Sequence, residues 1–145
     1  CQSNLKQLGL ALMQYTQDYD ESYPILFSWG PGTPANTHWD FRIQAYTSTR
    51  AGIGLTPGVF QCPSDAIART TGDTPRSYSW VNDMRTSIPL GPGGTWTSGA
   101  VIGRNLSEVS SPATTLLLAE VFWQFNVMGK HDASIVWGPG NATSN

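Results

Sequence analysis

Two cysteines, two histidines and ten acidic residues are the side chains of this chain best suited to chemistry. Their spacing assembles no familiar catalytic set. His38 and His131 stand far apart in polar stretches, and no G-x-S-x-G, H-E-x-x-H or phosphate-cradling glycine loop accompanies them. Glu120 lies in an apolar run and is expected to be the buried carboxylate. A structural hydrogen bond accounts for it more simply than a tuned acid with no visible partner. An enzyme is therefore the weakest of the function classes. Asp18, Asp20 and Glu21 cluster near one helix end, with Asp65 and Asp83 elsewhere; alternate carboxylates can ligate calcium, but the EF-hand spacing is absent. Solvated helix-end charge is the simpler reading, so no cofactor is expected and calcium stands as the alternative.

Cys1 and Cys62 read as one disulfide in a secreted protein and as two separate thiols in a cytosolic one. A bridge across so long a loop would stabilise the fold by about 4 kcal/mol on the chain-entropy estimate. Lipidation of Cys1 is disfavoured because a helical pattern begins at once, without a flexible spacer. Trp29-Gly30-Pro31-Gly32 and Trp137-Gly138-Pro139-Gly140 repeat one tetrapeptide, and Gly91-Pro92-Gly93-Gly94 precedes Trp96. Pro followed by Gly suits a type II turn. Trp29, Trp96 and Trp137 thus sit beside stiff loops, either folded onto the core, exposed at a subunit interface, or stacked on carbohydrate. Asn105-Leu106-Ser107 and Asn141-Ala142-Thr143 match the N-glycosylation pattern, a weak signal in a chain rich in Asn, Ser and Thr.

Composition bounds the elements that must position these groups. Charged residues make up 12% of the 145, against about 25% in an average globular domain. With a net charge of −2 and eight scattered Lys and Arg, nothing here grips a phosphate backbone. No window is apolar for long enough to span a membrane. Residues 1–20 carry the strongest helical pattern: Leu5, Leu8, Leu12, Tyr15 and Tyr19 fall on one face, and the helix should stop before Tyr23-Pro24. No capping residue precedes the pattern, so the helix reads as cut into at Cys1.

Thr37-His38-Trp39-Asp40 is a capping-box pattern and predicts a short helix with Trp39, Ile43 and Tyr46 on one face. Residues 50–58 are turn-rich. Strands are predicted over Val59–Cys62, Ser77–Val81, Thr95–Ile102 and Ile135–Trp137. Thr114–Val127, the longest apolar run, is predicted as the central strand, alone or together with its hairpin partner. The fold class is α+β: an amphipathic N-terminal helix on an antiparallel sheet with long Gly/Pro-rich loops. One domain spans 1–145, with the helix over 1–22 and a globular head over 23–145.

The block Cys1-Gln2-Ser3-Asn4-Leu5-Lys6-Gln7-Leu8-Gly9-Leu10-Ala11-Leu12 closely resembles bacterial pilin-like proteins with a prepilin-type N-terminus, related to the pseudopilins of type II secretion. Further matches are Tyr15 with Asp18-Tyr19-Asp20-Glu21 and Tyr23-Pro24, Trp39 with Gln44 and Tyr46, and Phe60-Gln61-Cys62-Pro63-Ser64-Asp65. Ser77-Tyr78 with Asn82, and Ser111-Pro112-Ala113-Thr114-Thr115 leading to Glu120, are looser. The family's C-terminal His followed by Asp-Gly is lacking; His131-Asp132 is a partial echo. The resemblance implies the outer head of a structural subunit that self-assembles into an extracellular, helical homopolymer on a bacterial surface. The helix face Leu5, Leu8, Leu12, Tyr15 and Tyr19 would take part in assembly, and membrane contact would pass only through an apolar segment ahead of Cys1. Related pseudopilins carry calcium in the head. The alternative is a minor pilin-like module whose Trp-bearing loops hold a surface polysaccharide or another secreted ligand.

Overall fold

The computed structural model describes residues 1–24, 27–29, 38–48, 57–69, 72–81, 85–87, 99–103, 105–109, 116–129 and 135–136. Helix α1 spans Gln2–Asp18. Its apolar residues recur at helical spacing, so one stripe can be buried, and Leu8, Ala11, Leu12 and Tyr15 are buried in the main core. Each fully buried Leu contributes about 1.5–3 kcal/mol relative to exposure. The face expected to serve assembly thus turns inward, with Leu5 partly buried beside it and Tyr19 exposed. On the outer side Leu10 is 67% exposed, and Met13 is also exposed.

The helix stops earlier than the proline requires. Asp20 and Glu21 both take left-handed backbone angles, φ 49° and 60°, and the Glu21 N–H donates to the Thr16 carbonyl at 2.9 Å. Two consecutive non-glycine residues in this region are strained. The turn over Asn105–Glu108 holds them there. The Asn105 Nδ2 donates to the Asp20 carbonyl at 2.9 Å, and the Leu106 N–H donates to the Glu21 carbonyl at 2.7 Å.

Helix α2, Trp39–Arg42, starts at His38 rather than at Thr37, which lies outside the described residues, and a 3-10 turn over Gln44–Tyr46 follows. Among the described residues, no side chain caps it. Asp40, expected to close a capping box, turns into the core, while Trp39 and Ile43 are fully buried. His38, at the helix start, is buried too.

Among the described residues, two small sheets complete the α+β fold. In the first, β1 (Phe27–Trp29), β4 (Gly99–Gly103) and β3 (Arg85–Ser87) lie in the order β1-β4-β3, all antiparallel. In the second, β2 (Tyr78–Val81) lies between β5 (Leu118–Glu120), antiparallel, and β6 (Ile135–Val136), parallel. The strand predicted at 77–81 is present as β2, and β6 and β4 form the described parts of those predicted at 135–137 and 95–102.

Two strand expectations are corrected. Val59–Cys62 is not a strand: Gly58, at φ 50°, opens a 3-10 turn over Gly58–Phe60. The Cys62 N–H then donates to the Ser77 Oγ at 2.9 Å instead of to a ladder. The run 114–127 is not the central strand either. Among its described residues it forms a ladder over β5, at a sheet edge, and an isolated bridge from Val127 to Pro75, and the Val121 N–H still reaches the Ser77 carbonyl at 2.7 Å. The chain then turns so that Asn126 enters the core, leaving Phe122, Trp123 and Phe125 exposed. Leu116 is 62% exposed. Glycine in place of the strained Glu21 relieves the backbone at some entropic cost in the unfolded chain. Glu21→Gly is therefore expected to raise stability by roughly 0.5–1 kcal/mol, read from urea unfolding midpoints.

Candidate functional site

Two side-chain clusters organise the head. The first begins at a Cys1–Cys62 disulfide with Cα atoms 4.7 Å apart, within the ordinary range for a bridge. It joins the first residue ahead of α1 to the Cys62-Pro63-Ser64-Asp65 turn. Around it, the Asn4 Nδ2 donates to the Gln61 carbonyl at 2.8 Å and the Tyr78 hydroxyl to the Cys1 carbonyl at 3.3 Å. The Ser64 N–H donates to the Cys62 Sγ at 3.3 Å. The turn is closed from below by Asp65, whose Oδ2 accepts from the Ser77 Oγ at 2.6 Å and from the Arg69 Nη2 at 2.5 Å. Burial alone would raise the Asp65 pKa; the Arg69 and Ser77 hydrogen bonds and the Ile67 N–H outweigh it and hold the carboxyl below its usual value.

The second cluster is the ion pair of Arg76 and Asp40, Nη1 to Oδ2 at 2.6 Å, with both side chains wholly removed from solvent. Buried charge of this kind must be paired and fully hydrogen-bonded, and here it is. The Arg76 Nε donates to the Asn126 Oδ1 at 2.9 Å, and its guanidinium lies over the Trp39 ring, 5.5 Å from the centroid. Asp40 accepts on Oδ1 from the Phe41 N–H at 2.9 Å and on Oδ2 from the Gly129 N–H at 3.0 Å. Gly129 has φ 71°, a backbone conformation other residues adopt only with strain. Burial pulls the Arg76 pKa down, and Asp40 opposes that pull. The two clusters meet at Asn126, whose carbonyl accepts from the Arg69 Nε at 3.0 Å.

The sequence did not single out Arg69, Arg76 or Asn126 as members of any site. In the sequence Asp40 reads as a capping residue, and Asp65 as an acid apart from the helix-end cluster and the last residue of the Cys62-Pro63-Ser64-Asp65 block. Both are buried. Glu120, expected to be the buried carboxylate, is exposed.

At the far end of α1, Tyr15 and Tyr19 stack with ring centroids 4.1 Å apart. The Tyr46 hydroxyl donates to the Asp18 carboxylate at 2.7 Å, and that hydrogen bond pushes the Tyr46 pKa up to about 12. Asp18 therefore already has a partner, and the carbonyls of Asp20 and Glu21 are taken by the 105–108 turn. Asn105, a glycosylation candidate, caps that turn: its Oδ1 accepts from the Ser107 N–H at 3.0 Å while the Glu108 carboxylate accepts from its N–H at 3.2 Å. Trp29 is described only as backbone in β1; Trp96, Trp137, Asn141, Asp83 and His131 lie outside the described residues. The described residues do bring three potential metal ligands together, namely Cys1, Cys62 and Glu120.

No protein-family model, curated protein or solved structure matches the chain. Among the described residues, no helix is long and apolar enough to cross a membrane.

Removing one partner of a buried ion pair strands the other. Asp40→Ala is therefore expected to cost roughly 3–5 kcal/mol, measured by denaturant unfolding. Asp65 gives a pH signature. Because its folded pKa is depressed, its stabilisation is complete above the unfolded value of about 3.9 and is lost as pH falls through the folded pKa. Asp65→Asn should flatten that acid limb in unfolding curves recorded across the acidic range; an unchanged slope would remove Asp65 as its source.

Proposed function

We propose that this chain is the head, with the distal half of the N-terminal helix, of a pilin-like subunit of an extracellular filament on a bacterial surface, a structural protein rather than an enzyme. The observation that carries this reading is the way α1 is mounted. A 17-residue helix lies with its apolar stripe in the core of an α+β head and is clasped to that head by a disulfide at Cys1. This is the mounting a subunit needs if its helix is to transmit load to its head. The residues of the clasp are those through which the sequence resembles the family: the block at 1–12 and Cys62-Pro63-Ser64-Asp65.

In this reading an apolar continuation ahead of Cys1 packs in the filament core, and the α1 residues left for neighbouring subunits are Leu10, Met13 and Tyr19, all exposed. The disulfide suits an oxidising, extracellular setting. The buried charges Asp40, Asp65, Arg69 and Arg76 are committed to one another, which supports a structural role.

A second reading, a minor pilin-like module that binds polysaccharide, draws on the exposed turn at Phe122, Trp123 and Phe125, where the last two rings meet edge-on at 5.1 Å. Negative-stain microscopy of native material separates the two. Uniform filaments composed mainly of this chain are expected. Monomers retained on a glycan column would favour the module, and monomers not retained would contradict both.

A further inference from the structure

We propose that, when the disulfide is reduced, Cys1, Cys62 and Glu120 form a binding site for a thiophilic divalent cation of the zinc class. The potential ligand atoms of the three residues lie within 4.8 Å of one another. Tetrahedral zinc with sulfur at about 2.3 Å and oxygen at about 2.0–2.2 Å needs ligands roughly 3.3–3.8 Å apart, so closing the site takes only small side-chain movements.

The three residues come from separate parts of the fold that are independently fixed. Cys1 sits at the start of α1, held by the Tyr78 hydroxyl on its carbonyl. Cys62 is wholly buried in the turn that Asp65 closes. Glu120 is the cross-strand partner of Tyr78 in the β2–β5 ladder, so both side chains project from the same face of that sheet. The Ser64 N–H already aimed at the Cys62 sulfur, at 3.3 Å, is the donor a metal-bound thiolate uses. Glu120 is exposed, which leaves an entry path and room for water as the fourth ligand.

A dithiol reduces the Cys1–Cys62 bond by two electrons and becomes a disulfide itself, leaving two protein thiols. The cation then displaces both thiol protons to solvent and takes the two sulfurs with the Glu120 carboxylate. The helix-to-head clasp is thereby kept in both redox states, by a covalent bond in one and by a metal in the other.

The test uses the whole chain, reduced anaerobically with a phosphine, which takes oxygen from water to become its oxide, and titrated with Co2+. Thiolate-to-cobalt charge-transfer absorption saturating at one equivalent is expected. Glu120→Gln should weaken binding roughly tenfold or more, and the oxidised protein and a Cys1→Ser/Cys62→Ser variant should show no band. Absence of the band in the reduced wild type, or equal affinity in Glu120→Gln, overturns the proposal. If reduction unfolds the chain, Co2+ must restore the helical circular-dichroism signal in the wild type and not in Glu120→Gln. Equal recovery in both, or in neither, overturns it as well.

Discussion

Arg76 places a permanent positive charge where no water reaches it, and much of the head is arranged around that fact. Asp40 answers the charge from α2, Asn126 answers it from the turn after β5, and the Trp39 ring covers one face of the guanidinium. An apolar side chain at 76 would avoid the desolvation cost altogether. What the ion pair adds is specificity of position. Asp40 can accept from Arg76 and Gly129 together only if α2 and the 126–129 turn stand in one relation to β2. The pair therefore sets the angle at which α2 presents Trp39 and Ile43 to the core.

From Asn126 the same network runs outward to the clasp. Its carbonyl accepts from Arg69, Arg69 holds Asp65, Asp65 accepts from Ser77, and Ser77 accepts from the N–H of Cys62. The disulfide then passes the constraint to α1. A helix with one apolar stripe can slide or rotate on a small core. This one is pinned at its first turn by covalent and polar bonds, and at its exit by the Asn105 turn bonded to two strained carbonyls. The burial of Leu8 and Leu12 holds the middle.

How much of this was legible in the sequence follows from the range of the forces involved. The helix over residues 2–18 was readable because its period is local, and so was β2 with its short alternation. Two cysteines admit one pairing, but a bridge and two separate thiols both fit the sequence, and the fold decides by bringing Cys1 beside Cys62. The polar network was not readable, because Asp40, Asp65, Arg69, Arg76 and Asn126 are distributed over nearly ninety positions and look like ordinary surface residues one at a time. Asp40 even fits a local capping pattern, and the core overrode it with a better partner. The run at 114–127 misled for the opposite reason. Hydrophobicity says that a segment can be buried, whereas Asn126 had to be, and turning it inward left Phe122, Trp123 and Phe125 outside.

A continuous network from Arg76 to the clasp has an energetic consequence that separate local bonds would lack. A double-mutant cycle between Asp40→Asn and Asp65→Asn, followed by denaturant unfolding at neutral pH with the disulfide intact, measures it directly. Asp40 and Asp65 share no bond; they are linked through Arg76, which reaches Asp65 by way of Asn126 and Arg69, by the Arg69 hydrogen bond to its own carbonyl, and by its chain neighbour Ser77. Coupling through that chain should appear as an interaction energy of about 0.5–3 kcal/mol. Effects that simply add, to within about 0.3–0.5 kcal/mol, would mean that the two clusters are independent and that the core does not hold the helix through the clasp.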